Sequence, residues 1–157
     1  MYRILCDSFV LYDPRLPELF VFEPELTQKK NEPGELTFTI PKEHLHYGVL
    51  EKLKSRIKVY RDDTLIWMGR AIEDERDLYE NRKVLVEGTL AFLLDSILRP
   101  FTMYGTAVDV WEYLLGQHNS QVNENQRFVI GNFDLAGSVS IATKDYLSVW
   151  QVLKTSL

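Results

Sequence analysis

Glu73, Asp74, Glu75, Asp77 and Glu80 form the densest group of side chains in the 157-residue chain that could do chemistry. Converging carboxylates bind Ca²⁺ or Mg²⁺, or work as an acid and base pair. On a strand, however, neighbours point to opposite faces, so Glu73, Glu75 and Asp77 share one face and Asp74 looks away. Arg70, Arg76 and Arg82 are interspersed and can neutralise the group. The expectation is a solvated or lumen-facing strand rather than a metal site.

The histidines make no better case. His44 and His46 stand two apart and His118 lies far off, whereas zinc needs three or four converging ligands at a spacing such as H-E-x-x-H. His118 closes a predicted helix and is expected to be a cap compatible with the helix dipole. There is no G-x-S-x-G, and the glycines are scattered rather than gathered into a phosphate loop, so no catalytic, metal or cofactor site is assigned. Trp67, Trp111 and Trp150 each occupy an apolar position of a predicted element; core packing is the first reading and interface anchoring the second.

Composition narrows the classes further. The chain is 45% hydrophobic and 26% charged, enough to bury a core. Its net charge of -5 argues against a general phosphate-binding surface, which needs a basic patch to release counterions. The single Cys6 rules out a disulfide within one chain and reads as a buried, inert thiol. The N-terminus has no apolar signal core, and no run reaches the roughly 18 apolar residues of a membrane helix. The expectation is a protein made in a reducing cytoplasm, with neither a signal peptide nor a membrane span.

The elements that must position these residues centre on Ile57–Gly88. Ile57–Arg61, Thr64–Asp77 and Lys83–Gly88 are rich in β-branched and aromatic residues and read as a meander, its first turn at Asp62-Asp63. The middle strand is too long to stay flat, and Gly69 inside it points to a bulge or bend where another backbone comes close. Ahead of the meander, Tyr2–Cys6 and Phe9–Tyr12 flank Asp7-Ser8 as a hairpin of similar layout. Leu19–Lys29 is a strand that Pro24 confines to an edge or bulge. After the turn Asn31–Gly34, Glu35–Ile40 alternates with Leu36, Phe38 and Ile40 on one face. Lys42–Ser55 reads as a short helix on Leu45, Val49, Leu50 and Leu53, and Leu90, Leu93, Leu94, Ile97 and Leu98 fit a second helix.

A boundary is expected within Arg99–Gly105. Beyond it, Thr106 can cap a helix with the stripe Ala107, Val110, Trp111, Leu114 and Leu115. Gln117–Gln126 reads as a loop. Arg127–Phe133 and Ser138–Ala142 read as strands around Asp134–Gly137, and a last helix begins near Thr143 with Tyr146, Val149, Trp150 and Leu153 on one face. This segment is small for a core of its own, so a longer protein is expected.

The order of these signals, carried by YRILCDSFVLYDPRLPEL, by ELTFTIPKEHLHYGVLEKLKSRIKVYRDDTLIWMGRAIEDERD, by VLVEGTLAFLLDSILRP and by the helix with QHNSQV, resembles the N-terminal region of bacteriophage tail-tip or baseplate hub proteins. That family includes prophage tail endopeptidase-like and tail-associated lysin proteins. The resemblance implies an α+β chain in which residues 1–100 form a small antiparallel β-barrel-like tube domain with short helices. Residues 101–157 then begin a second, incomplete α+β domain. It implies a virion structural protein of the tail tip, not an enzyme: a homotrimer that continues the tail tube and guides the DNA channel. Its partners would be the distal tail, tail tube and tape measure proteins, with DNA only in transit. Glu73, Glu75 and Asp77 would line the channel and repel phosphate, and Trp67 and Tyr60 would serve subunit contacts. The alternatives are the scaffold of a cell-wall hydrolase whose catalytic part lies beyond residue 157, and a carbohydrate-binding module, which needs an exposed Trp67.

Overall fold

Period-two alternation of apolar side chains between Tyr2 and Gly88 becomes one antiparallel sheet of seven strands. The computed structural model describes residues 1–132 and 137–156. Its contacts divide the chain into two units, Met1–Thr89 and Leu90–Leu157, each with its own core. The break precedes the Arg99–Gly105 stretch, part of which is itself strand in the second unit.

The first unit contains β1 (Tyr2–Cys6), β2 (Phe9–Tyr12), β3 (Phe22–Thr27), β4 (Glu35–Ile40), β5 (Arg56–Arg61), β6 (Thr64–Arg76) and β7 (Arg82–Gly88), in the spatial order β2-β1-β5-β6-β7-β4-β3. The two hairpin turns are alike: Asp7 and Asp62 each take a left-handed φ of 55°, which a short polar side chain tolerates. Each turn is anchored to the start of the neighbouring strand. Asp7 N–H donates to Arg56 O at 2.7 Å, and Asp62 N–H donates to Met1 O at 2.6 Å.

The sheet buries one face. Ile4, Cys6, Leu36, Phe38, Ile40, Ile57, Val59, Trp67, Ala71, Val84 and Val86 pack there with Val21 and Leu50. β3 lies at an edge, and its register slips between Phe22 and Glu25, around Pro24, as a residue without an N–H requires. Gly69 meets the expected close approach, since a Cβ there would overlap Glu87 O. Curvature comes from the 13-residue β6, but the sheet curls only into a half-barrel. β2 and β3 are not paired with each other, so the expected barrel is not closed.

Lys42–Ser55 is not a helix but a run of turns. Its carbonyls are taken elsewhere: Arg82 donates to Tyr47 O and Leu50 O, which a helix would reserve for Glu51 and Lys54. Glu51 N–H goes instead to Ser55 Oγ, and Leu53 adopts a φ of 64°. Consequently Leu50 is buried while Leu45 and Leu53 are exposed.

The second unit opens within a 3-10 helix, Thr89–Leu94, followed by β8 (Ile97–Leu98), so the predicted helix over Leu90–Leu98 stops early. The reason lies in side chains: Ser96 is drawn to His118, and the Gln121 amide bonds both Ile97 N–H and Ile97 O at 3.1 Å. β9 (Thr102–Thr106) leads into α1 (Ala107–Asn119), where Thr106 and Asp109 form a reciprocal capping box. The predicted stripe is buried at Ala107, Val110, Leu114 and Leu115.

β10 (Ser138–Ala142) pairs with β9, not with residues 127–132, which form no strand. Asn119 explains this: its side-chain amide occupies both Phe128 N–H (2.9 Å) and Phe128 O (2.7 Å), leaving no ladder for a partner. The predicted turn at Asp134–Gly137 lies, apart from Gly137, outside the described residues. β11 (Leu147–Ser148) pairs with β8, and α2 runs over Val149–Ser156, later than Thr143. Ser148 and Gln151 exchange side-chain and backbone bonds at its start, a capping box that the S-x-x-Q spacing carries.

Candidate functional site

The acidic strand owes its geometry to one extra residue. Trp67, Gly69 and Ala71 face the core, so strict alternation would bury Glu73 and Glu75 behind them. Instead Ala71 pairs with Val86 and Glu73 with Leu85, leaving Ile72 as a bulge. The phase flips. Glu73 and Glu75 reach solvent, and Asp74 turns to the side that carries buried Arg82.

The exposed side is a shallow groove of about 430 Å³, lined by Thr37 and Thr39 of β4, Glu73 and Glu75 of β6, and Lys83 and Leu85 of β7. Glu75 lies opposite Lys83 in the ladder, and Glu23 also lines the groove, so one ammonium shares it with three carboxylates. Farther along the same face Arg70 and Glu87 form an ion pair at 2.7 Å. This surface can present charge and the Thr37 and Thr39 hydroxyls to solvent, and its lining contains no imidazole.

Asp77 is not part of that face, because β6 ends at Arg76. Its carboxylate accepts from Tyr79 N–H (2.8 Å), Asn81 N–H (3.0 Å) and Asn81 Nδ2 (3.0 Å), which closes the β6–β7 turn. The Asn81 side-chain bond is the main reason that this carboxyl is held below the usual carboxylate range. Glu80 is paired with Lys42, which likewise depresses its carboxyl, and Tyr47 donates its hydroxyl to Glu80 O. Among the described residues, no group of three or more His, Cys, Asp or Glu side chains is arranged to hold a metal ion.

Trp67 is 8% exposed and donates Nε1–H to Pro33 O at 3.3 Å, so core packing accounts for it and little of its ring is left for an interface. Tyr60 is half-buried on β5, with the Arg3 guanidinium 5.8 Å from its ring centroid. Trp111 and Trp150 pack half-buried against the core of the second unit.

His118 is not a helix cap. It is fully buried, with Nδ1 2.8 Å from Ser96 Oγ and Nε2 donating to Gln126 O at 3.0 Å. Serine and imidazole are thus in contact but sealed, since Ser96 is also fully buried. His44 and His46 are brought to β2, where they bond the carbonyls of Leu11 and Val10.

The pair that the spacing arguments did not reach is Asp74–Arg82. An arginine opening a strand two positions before Val84 shares the inward phase of Val84 and Val86, and that was its signal in the sequence. No protein-family model matches the chain, and no curated protein matches it in sequence.

Proposed function

We propose that the chain is a structural assembly module of a phage or prophage tail tip, one that works through contacts between copies to continue a tube around passing DNA. The observation that carries this reading is the open half-barrel: its seven strands end in two unpaired edges, β2 and β3, at opposite sides of the sheet. Edge strands pair with other chains through backbone groups left free; on β2 the Val10 and Leu11 carbonyls are already held by His46 and His44, so pairing there uses its remaining groups, and a sheet with two edges suits a closed ring of identical subunits.

The bulge in β6 supports a role for the acidic strip. It turns Glu73 and Glu75 to solvent at the cost of regular pairing, and carboxylates along a channel wall repel DNA phosphate. In this reading the ring is a homotrimer that meets the distal tail, tail tube and tape measure proteins, and DNA only passes through. Any lytic activity belongs to other segments. The carbohydrate-binding alternative loses its platform, because Trp67 is buried.

Mass measurement of the chain in solution tests the proposal. A mass of three chains is expected; a stable monomer that binds glycans overturns it. Zymography with the same protein adds a second check, since clearing of peptidoglycan by residues 1–157 would make the chain an enzyme.

A further inference from the structure

His44 and His46 hold one strand edge in chemically different ways. His44 is buried; its Nε2 donates to Leu11 O at 2.8 Å, while its Nδ1 lies 3.0 Å from the backbone N–H of His46. A carbonyl on one side and an N–H on the other define the neutral Nε2–H tautomer. Half-buried His46 donates from Nδ1 to Val10 O at 2.8 Å. Imidazolium offers that same donor, so a second proton on His46 Nε2 leaves its bond intact.

The carbonyls so held belong to the irregular part of β2. Ile4 pairs with Tyr12 and Leu5 with Val10, which leaves Leu11 as the extra residue at the edge of the sheet. The histidines supply side-chain donors to a strand that has no neighbour on one side, one of the ways an edge is kept from pairing.

We propose that His44 is a proton-sensitive pin of this loop: a proton on its Nδ1 sets a donor against the His46 N–H, breaks that contact and releases the turn at residues 44–46, while Nε2–H can still donate to Leu11 O. Release stops there, because Arg82 still holds Tyr47 O and Leu50 O. The inference stands on the loop itself and does not depend on the assembly reading.

Burial pushes His44 below the ordinary imidazole value of 6.5; the bond to Leu11 opposes this and the neighbouring His46 adds to it. The charged and titratable groups on the elements around the loop are Lys42, Glu43 and His46 on the loop itself, Cys6 and Asp7 at the end of β1, and Tyr12 and the Asp13–Arg15 pair at and after β2. Tyr47, whose N–H donates to His44 O, Asp74 of β6, Arg82 of β7 and Glu80 of the β6–β7 turn stand with them. Because the folded value is the lower one, the open loop binds the proton first. The latch is whole above about 6.5 and is lost as pH falls through the folded value.

Amide hydrogen exchange on the full chain, corrected for intrinsic rates, tests this between neutral pH and the onset of global acid unfolding. Protection of the His44, His46 and Tyr47 amides should fall by about tenfold per pH unit below the midpoint of the open loop, as uptake of one proton requires. The Val84 and Val86 amides should stay protected. In His44→Gln, which keeps a donor near Leu11 but cannot titrate, loop exchange should not vary with pH. A flat profile in the natural chain, or an equal slope in the variant, overturns the proposal. Ring ¹⁵N shifts of the natural chain give a check that needs no variant: the Nε2–H tautomer and a midpoint below 6.5 are expected, and the Nδ1–H tautomer or a higher midpoint overturns it.

Discussion

Asp74 and Arg82 meet across the β6–β7 hairpin as a two-pronged ion pair, Nε to Oδ1 at 2.9 Å and Nη2 to Oδ2 at 2.6 Å. The same guanidinium donates to Tyr47 O and to Leu50 O, and its central carbon lies 5.4 Å from the Tyr47 ring centroid. One side chain therefore ties the turns of residues 41–55 to the core side of the sheet. Planar, multidirectional donation is what arginine offers and lysine does not.

Replacing Arg82 by Met should leave the Asp74 carboxylate and two carbonyls without their donor. A loss of about 3 to 5 kcal/mol is expected in urea unfolding, the range for a buried pair stripped of one partner. Asp74→Asn keeps an acceptor and should cost less, about 1 to 3 kcal/mol. Equal effects would mean that the ion pair, which both variants remove, and not the carbonyl bonds of Arg82, dominates.

Acid should weaken the fold through Asp13. Its carboxylate accepts from Arg15 Nε (2.9 Å) and Nη2 (2.6 Å), and that pairing is the chief reason its value is held at about 2. Since this is below the ordinary 3.8, the stability it contributes is complete above 3.8 and lost as pH falls through about 2. Asp13→Asn should flatten the acid limb of a stability-against-pH curve in that window and change its slope little at neutral pH.

Two glycine substitutions should act in opposite directions. A Cβ on Gly88 would overlap Pro33 O, a backbone atom that cannot swing aside, so Gly88→Ala should cost about 3 kcal/mol or prevent folding. Gly116 lies inside α1, and a Cβ added there would meet nothing within 4 Å. Gly116→Ala should raise stability by about 1 kcal/mol, the helix preference of alanine over glycine. Thermal midpoints of the two variants check both signs.

The acidic strip should be separable from folding. Glu73 and Glu75 are exposed, so Glu73→Gln and Glu75→Gln should each shift stability by less than about 0.5 kcal/mol. Circular dichroism melts check this; a large loss would show that the strip holds the sheet together rather than facing a channel.

What the sequence determined by itself is the local grammar of the chain. The alternation of Glu35–Ile40, the turns at Asp7 and Asp62, the meander and the Thr106 cap depend on neighbours a few positions apart, and all appear in the structure. Tertiary structure decided wherever distant side chains captured backbone groups. Arg82 took the carbonyls a helix over Lys42–Ser55 would use, Asn119 occupied the would-be strand at Phe128, and His118 drew Ser96 inward. The candidate site shows the same division. Its carboxylates are legible as residues, but their facing depends on the bulge at Ile72, and a one-residue shift of register reverses every side chain after it. Periodicity cannot place that shift, because it is set by how β7 pairs and by the gain from bringing Asp74 to Arg82.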